Sequence, residues 1–151
     1  MELGLSHKTA LVTGSTKGIG KAIATELAKE GADVIINGRQ AEVVNQVVAE
    51  LKKNFPHTNP QGAPFDLADR KAREELFVKF PKVDILINNM GIFEPMDYLD
   101  ITDEVWERFF NINVLSGNAL AKFYLPKMLV QDFGRVIFIA SEEAMMPSGE
   151  M

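Results

Sequence analysis

Apolar runs alternate with longer stretches of helical period along this chain. Residues 9–12 (Thr-Ala-Leu-Val) form a continuous apolar run, and residues 33–36 (Asp-Val-Ile-Ile) form a second. Both read as strands. Between them, Ile19, Ala22, Ile23, Leu27 and Ala28 recur at three- and four-residue spacing. That period predicts an amphipathic helix over residues 18 to about 30, stopped by Gly31. A second helix is expected over 41–54, ended by Pro56, and a short strand near 63–65. A third helix is expected over 69–80, closed by Pro81, and then a strand over 83–87. Thr102 suits a helix N-cap, with Asp103 and Glu104 favourably placed in the first turn. The helix that follows is long, running past Leu120 as far as Leu125, just before Pro126. Residues 135–140 complete the series as a fifth strand.

The order is β-α-β-α-β-α-β-α-β, which predicts an α/β fold with a parallel sheet and helices on both faces. The strands are continuous apolar runs, as strands covered on both faces should be. No repeat, low-complexity tract or linker divides the chain, so residues 1–151 are expected to form one domain. The stretch 91–101 has no clear period, yet it holds Phe93, Pro95, Met96 and Tyr98, so it is not simply a solvated loop.

Composition narrows the function classes. The net charge is −5 and Lys and Arg are scattered, which argues against a nucleic-acid footprint. With no cysteine there is no disulfide, thiolate metal site or cysteine nucleophile. His7 and His57 are isolated and read as surface residues, so no metal site is expected. No apolar run approaches the roughly 18–20 residues that span a membrane. The N-terminus lacks the pattern of a signal peptide, and the default expectation is the cytoplasm.

The first apolar run leads into Thr13-Gly14-Ser15-Thr16-Lys17-Gly18-Ile19-Gly20. Glycines at a strand-to-helix turn let a backbone approach a pyrophosphate, and the following helix points free N–H groups at it. Three glycines alone would also suit a tight turn with no ligand. The strand before them and the amphipathic helix after them supply the context that a dinucleotide site requires.

The pattern Thr13-Gly14-x-x-x-Gly18-Ile19-Gly20 resembles the cofactor fingerprint of the classical short-chain dehydrogenases/reductases. Three further stretches resemble family motifs in the same order. Asn88-Asn89-Met90-Gly91 resembles Asn-Asn-Ala-Gly, with Met90 in place of the usual alanine. Residues 106–117 resemble the long central helix, and 134–141 resemble the strand that delivers a serine. The resemblance implies a Rossmann-type doubly wound sheet in the order 3-2-1-4-5. It implies cofactor contacts from Gly14, Ser15, Thr16, Lys17, Gly18, Ile19 and Gly20, from Asp66 and Leu67, and from Asn89, Met90 and Gly91. It also places Asn113 and Ser141 at the catalytic asparagine and serine. Asp66 also suits helix capping, Asn88 and Asn89 suit plain turn residues, and Ser141 suits a polar strand end. Trp106 is expected in the core.

An NAD site needs an acid at the end of the second strand for the ribose 2′-OH. Here the strand ends Ile36-Asn37-Gly38-Arg39-Gln40. Arg39 can pair with a 2′-phosphate through its planar fork, and Lys17 adds a second cation. NADP (NADPH) is therefore favoured over NAD. The family reaction is hydride transfer to or from a carbonyl or alcohol carbon of a small molecule, with a tyrosine and a lysine four residues later as acid/base machinery. A family-like homo-oligomer fits the same resemblance. Neither Tyr98 nor Tyr124 has a lysine four residues on. The chain is thus expected to be a truncated member, inactive alone, with residues 142–151 beginning the active-site loop and the further strands missing. Counted from Ser141, the family tyrosine would fall just past Met151. The alternatives are a non-catalytic NADP-binding module and a structural fragment whose pocket never forms.

Overall fold

The computed structural model describes residues 3–142 and 145–146. Five parallel strands, β1 (Thr9–Val12), β2 (Asp33–Asn37), β3 (Gln61–Ala63), β4 (Ile85–Asn88) and β5 (Arg135–Phe138), form one sheet in the order β3-β2-β1-β4-β5. Helices α1 (Gly18–Lys29), α2 (Ala41–Asn54), α3 (Arg70–Lys79), α4 (Asp103–Phe110) and α5 (Ser116–Val130) connect them. The sheet reads outward from β1 in both directions. The expected doubly wound architecture and its strand order are both present.

Period-2 alternation explains why helices cover both faces. Ala10 and Val12 of β1 point to one side, with Val34 and Ile36 of β2 and Ile85 and Ile87 of β4. They pack on Ala24 and Ala28 of α1 and on Val44, Val47 and Leu51 of α2. Leu11, Ile35 and Leu86 point to the other side, against Leu76 of α3 and Leu120, Tyr124 and Met128 of α5. The central strands β1, β2 and β4 thus have an apolar layer on each face, which is why their runs do not alternate with polar positions.

Three expectations need correction. The third strand lies at Gln61–Ala63 rather than 63–65. The Phe65 N–H donates back to the Ala63 carbonyl at 2.9 Å, turning the chain away from the sheet. The long helix does not stop before Pro126 but runs through it to Val130. Proline inside a helix costs about 3 kcal/mol. Tyr124 and Met128, buried on either side of it, each contribute about 1.5–3 kcal/mol by burial, which offsets that cost. Trp106 is not in the core: it is 57% exposed. It faces an open apolar groove with Phe93, Pro95, Met96, Ile101, Val105 and Phe109 instead of the sheet.

The helical run from Asp103 to Val130 is interrupted by one π turn at Asn111–Leu115. The 91–101 stretch holds only a short 3₁₀ turn at Tyr98–Asp100. Of the tail expected to begin an active-site loop, Glu143, Ala144 and residues 147–151 lie outside the described residues. No helix is long and apolar enough to cross a membrane among the described residues.

Candidate functional site: a cleft at the carboxyl ends of the strands

The chain leaves β1 toward β2 on one side, and returns from β3 to β4 on the other. The connections leaving the carboxyl ends of the adjacent strands β1 and β4 therefore run to opposite faces of the sheet, and a crevice opens where the winding reverses. One cleft runs across these ends. Gly14, Thr16 and Lys17 come from the β1–α1 turn, and Asn37, Gly38 and Arg39 from the end of β2. Phe65, Asp66 and Ala68 come from the end of β3, and Asn89, Met90, Gly91 and Ile92 from the end of β4. Ile112, from the π turn, closes the far end.

Two glycines are required by geometry. Gly14 and Gly18 have φ of +61° and +57°, the left-handed region that side chains disfavour. Between them Lys17 is the N-cap of α1, with no side-chain cap and no acid in the first turn. The first-turn N–H groups thus keep their donor capacity for an anion. Gly20 serves packing, because a β-carbon there would run into the Gly14 carbonyl and the Asn89 amide.

The turn is held by buried and half-buried groups on and beneath the cleft floor. The Thr13 hydroxyl accepts the Asn89 N–H at 2.9 Å and the Met90 N–H at 2.8 Å, and donates to the Ile87 carbonyl. The Asn89 amide donates to the Thr13 and Gly14 carbonyls. Ser15, fully buried, donates to the Val12 carbonyl at 2.7 Å and accepts the Asn37 N–H at 2.9 Å. Asn37 is 1% exposed and uses its whole side chain. Its Oδ1 accepts the Gly14 N–H, and its Nδ2 donates to the Ala63 and Phe65 carbonyls. One amide therefore joins three strand ends.

The expected site residues separate into groups. Gly14, Thr16, Lys17, Arg39, Asp66, Asn89, Met90 and Gly91 line the cleft together. Ser15 and Leu67 are buried beneath it, and Ile19 is 65% exposed outside it. Asp66 accepts the Ala68 N–H at 3.1 Å in a local turn, but it does not cap the helix: the N-cap of α3 is Asp69, whose side chain accepts the Lys71 N–H. Asn113 lies in the π turn and clasps the backbone of Ile92, accepting its N–H at 2.7 Å and donating to its carbonyl at 3.1 Å. A π turn is a rare feature that concentrates at functional sites. Ser141 lies three residues past the end of β5.

Sequence reasoning missed Asn37 and Thr13 as bracing residues, and Phe65, Ala68, Ile92 and Ile112 as lining. A polar residue ending an apolar strand beside a glycine turn was the available signal for both Asn37 and Thr13. Neither tyrosine lies in the cleft. Tyr98 is 77% exposed. Tyr124 is fully buried and donates to the Phe80 carbonyl at 2.9 Å, and burial pushes its phenol well above the ordinary range. His7 and His57 are both exposed, and no cluster of metal-ligating side chains occurs among the described residues.

A parallel sheet wound in both directions, with a glycine turn and a bare helix start at its switch point, defines a Rossmann-type domain. The sequence model of the short chain dehydrogenase family matches residues 8–151, and the chain belongs to that family of oxidoreductases. It is 57% identical over 151 residues to the "Uncharacterized oxidoreductase YvaG" of Bacillus subtilis (strain 168), covering all of this chain and 57% of that protein. Among solved structures it is similar to L-sorbose reductase from Gluconobacter frateurii complexed with NADPH and L-sorbose. The TM-score is 0.91 at 31% identity, over 99% of this chain and 58% of that one. It is also similar to a 7α-hydroxysteroid dehydrogenase complexed with NADH, with TM-score 0.88 and 30% identity over 97% and 58% of the two chains. The chain thus spans a little over half the length of the relatives it matches.

Proposed function

We propose that this chain is the cofactor-binding part of an NADP(H)-dependent oxidoreductase acting on an alcohol or ketone. The observation that carries the reading is the charge pattern at the end of β2. Arg39 and Lys17 line the same cleft, and no carboxylate stands between Asn37 and Gln40 to accept a ribose 2′-OH. Fold alone does not select the cofactor, because one similar structure holds NADPH and another NADH.

In this reading the pyrophosphate lies over the start of α1, on the backbone of residues 15–19. Asp66 and Leu67 flank the adenine, and Arg39 and Lys17 meet the 2′-phosphate. Asn89, Met90 and Gly91 pass beneath the dinucleotide. The bound cofactor supplies or receives hydride, and Asn113 and Ser141 orient the water and the substrate oxygen. A hydroxyl and an amide are poor proton donors at neutral pH, and a positioned acid/base group contributes about 10²–10⁴-fold. Neither tyrosine in these 151 residues has a lysine four positions on. The 151-residue chain alone is therefore expected to bind cofactor without turnover.

Calorimetric titration with NADP⁺ and NAD⁺ tests the reading. Losing a charge-assisted pair costs about 1.5–3 kcal/mol, or roughly ten- to a hundred-fold in affinity. Arg39→Ala should narrow the preference for NADP⁺ by about that factor. Equal affinities in the unmodified chain would refute the assignment. Robust NADPH oxidation by the chain alone would refute the division between binding and catalysis.

A further inference from the structure

At the end of β2 a second residue controls what position 38 can carry. Gly38 does not have a left-handed backbone, so a side chain there meets no conformational penalty. Space is the obstacle. A β-carbon on Gly38 would lie 2.6 Å from Cγ2 and 3.4 Å from Oγ1 of Thr16, and 3.3 Å from Cγ2 of Val44. The methyl of Thr16 thus occupies the volume that an acid just past the strand end would enter. Carbon atoms in contact sit about 3.5–4.0 Å apart, so one of the two groups must move. Thr16 belongs to the glycine turn, and its branched Cβ restricts the rotamers available for retreat.

We infer that Thr16 and Gly38 act as one coupled cofactor-specificity element. Thr16 excludes a carboxylate from the strand end, and Gly38 keeps the space open for Thr16 beside Lys17 and Arg39. Thr16 is then a specificity-determining residue through its side chain, in addition to any contact from its backbone. This inference rests on the dinucleotide reading of the cleft. It goes beyond that reading in stating that an acid introduced at 38 is useless until position 16 shrinks.

The experiment is a double-mutant cycle of Thr16→Ser, Gly38→Asp and the pair, each titrated with NADP⁺ and NAD⁺. Serine keeps the hydroxyl and removes only the clashing methyl. Gly38→Asp alone is expected to weaken both cofactors. The double variant should bind NAD⁺ at least about tenfold more tightly than independent effects predict, since residues in contact couple by 0.5–3 kcal/mol. Additive effects on NAD⁺ would overturn the coupling while leaving the NADP(H) reading intact. Equal cofactor affinities in the unmodified chain would instead refute the NADP(H) reading, and the cycle would still test the coupling through NAD⁺. Should Gly38→Asp fail to fold, Gly38→Ala places only the critical carbon. Its loss in denaturation midpoint should be largely recovered in the Thr16→Ser background, and equal losses in both backgrounds would overturn the inference. A chain that binds neither nucleotide refutes the reading and the inference together.

Discussion

Asn37 shows how one residue can hold a site with both polar atoms of its side chain committed to the backbone. Its three side-chain bonds reach the glycine turn and the exit of β3 at once. An aspartate of the same shape accepts but cannot donate, so the Phe65 carbonyl would lose its side-chain donor, and the Ala63 carbonyl, still bonded by the Phe65 N–H, would face a carboxylate. Each buried acceptor left unpaired costs about 1–3 kcal/mol. Asn37→Asp should therefore lower the chemical denaturation midpoint and weaken NADP⁺ and NAD⁺ alike, whereas Arg39→Ala should discriminate between them. An Asn37→Asp protein with the parent's midpoint would show that the network is dispensable. Tyr124 gives a second prediction. Its phenol is neutral in the fold and burial raises its pKa, so above the ordinary value of about 10 only the unfolded chain ionises. The unfolded state then binds fewer protons, and stability, fully present below about pH 10, falls as pH rises beyond it. Tyr124→Phe should cost about 1 kcal/mol at neutral pH through the lost bond to Phe80 and should remove much of that alkaline loss. Urea unfolding of both proteins across the alkaline range measures it, and identical slopes would refute it.

Among the elements, α5 depends on close approach. A β-carbon on Gly117 would lie 2.9 Å from the Phe138 ring and 3.3 Å from the Asn88 amide carbon. The helix can lie this near the ends of β4 and β5 only because position 117 has no side chain. Overpacking of this kind costs about 1–3 kcal/mol. Gly117→Ala should reduce the thermal midpoint, because this overpacking outweighs the gain of about 1 kcal/mol in helix propensity that alanine brings. A midpoint at or above the parent's would mean that Phe138 gives way freely. The π turn just before α5 is an element with a positional effect as well, because it presents Asn113 to the Ile92 backbone.

For the whole molecule, the sheet has one apolar edge. Among the described residues the only strand beyond β4 is β5, where Ile137 and Phe138 are 46% and 54% exposed, and Ile139 just after it is 40% exposed. An open strand edge with apolar side chains pairs readily with another chain. The 151-residue chain is expected to self-associate with rising concentration, and Ile137→Lys should weaken that association. Light scattering coupled to size exclusion measures both. A strictly monomeric parent at every concentration would show that the edge is adequately protected.

The hydrophobic pattern by itself determined the fold class and the number of strands, and the glycine spacing with the motif resemblance pointed to most of the residues that share the cleft. That information is local: a period of 2 or 3.6, a turn that needs left-handed backbone, a charge pattern within four residues. The fate of Pro126 and Trp106 was not local. A helix passes through Pro126 because Tyr124 and Met128 have a sheet to enter, and Trp106 stays exposed because its helix face meets a groove instead. The roles of Asn37 and Thr13 likewise depend on partners 28 and 77 residues away in the chain. The coupling of Thr16 to Gly38 depends on two turns being brought within van der Waals range. Only tertiary structure decides such contacts, because the free energy of packing and of buried hydrogen bonds belongs to pairs of residues that the linear chain keeps apart.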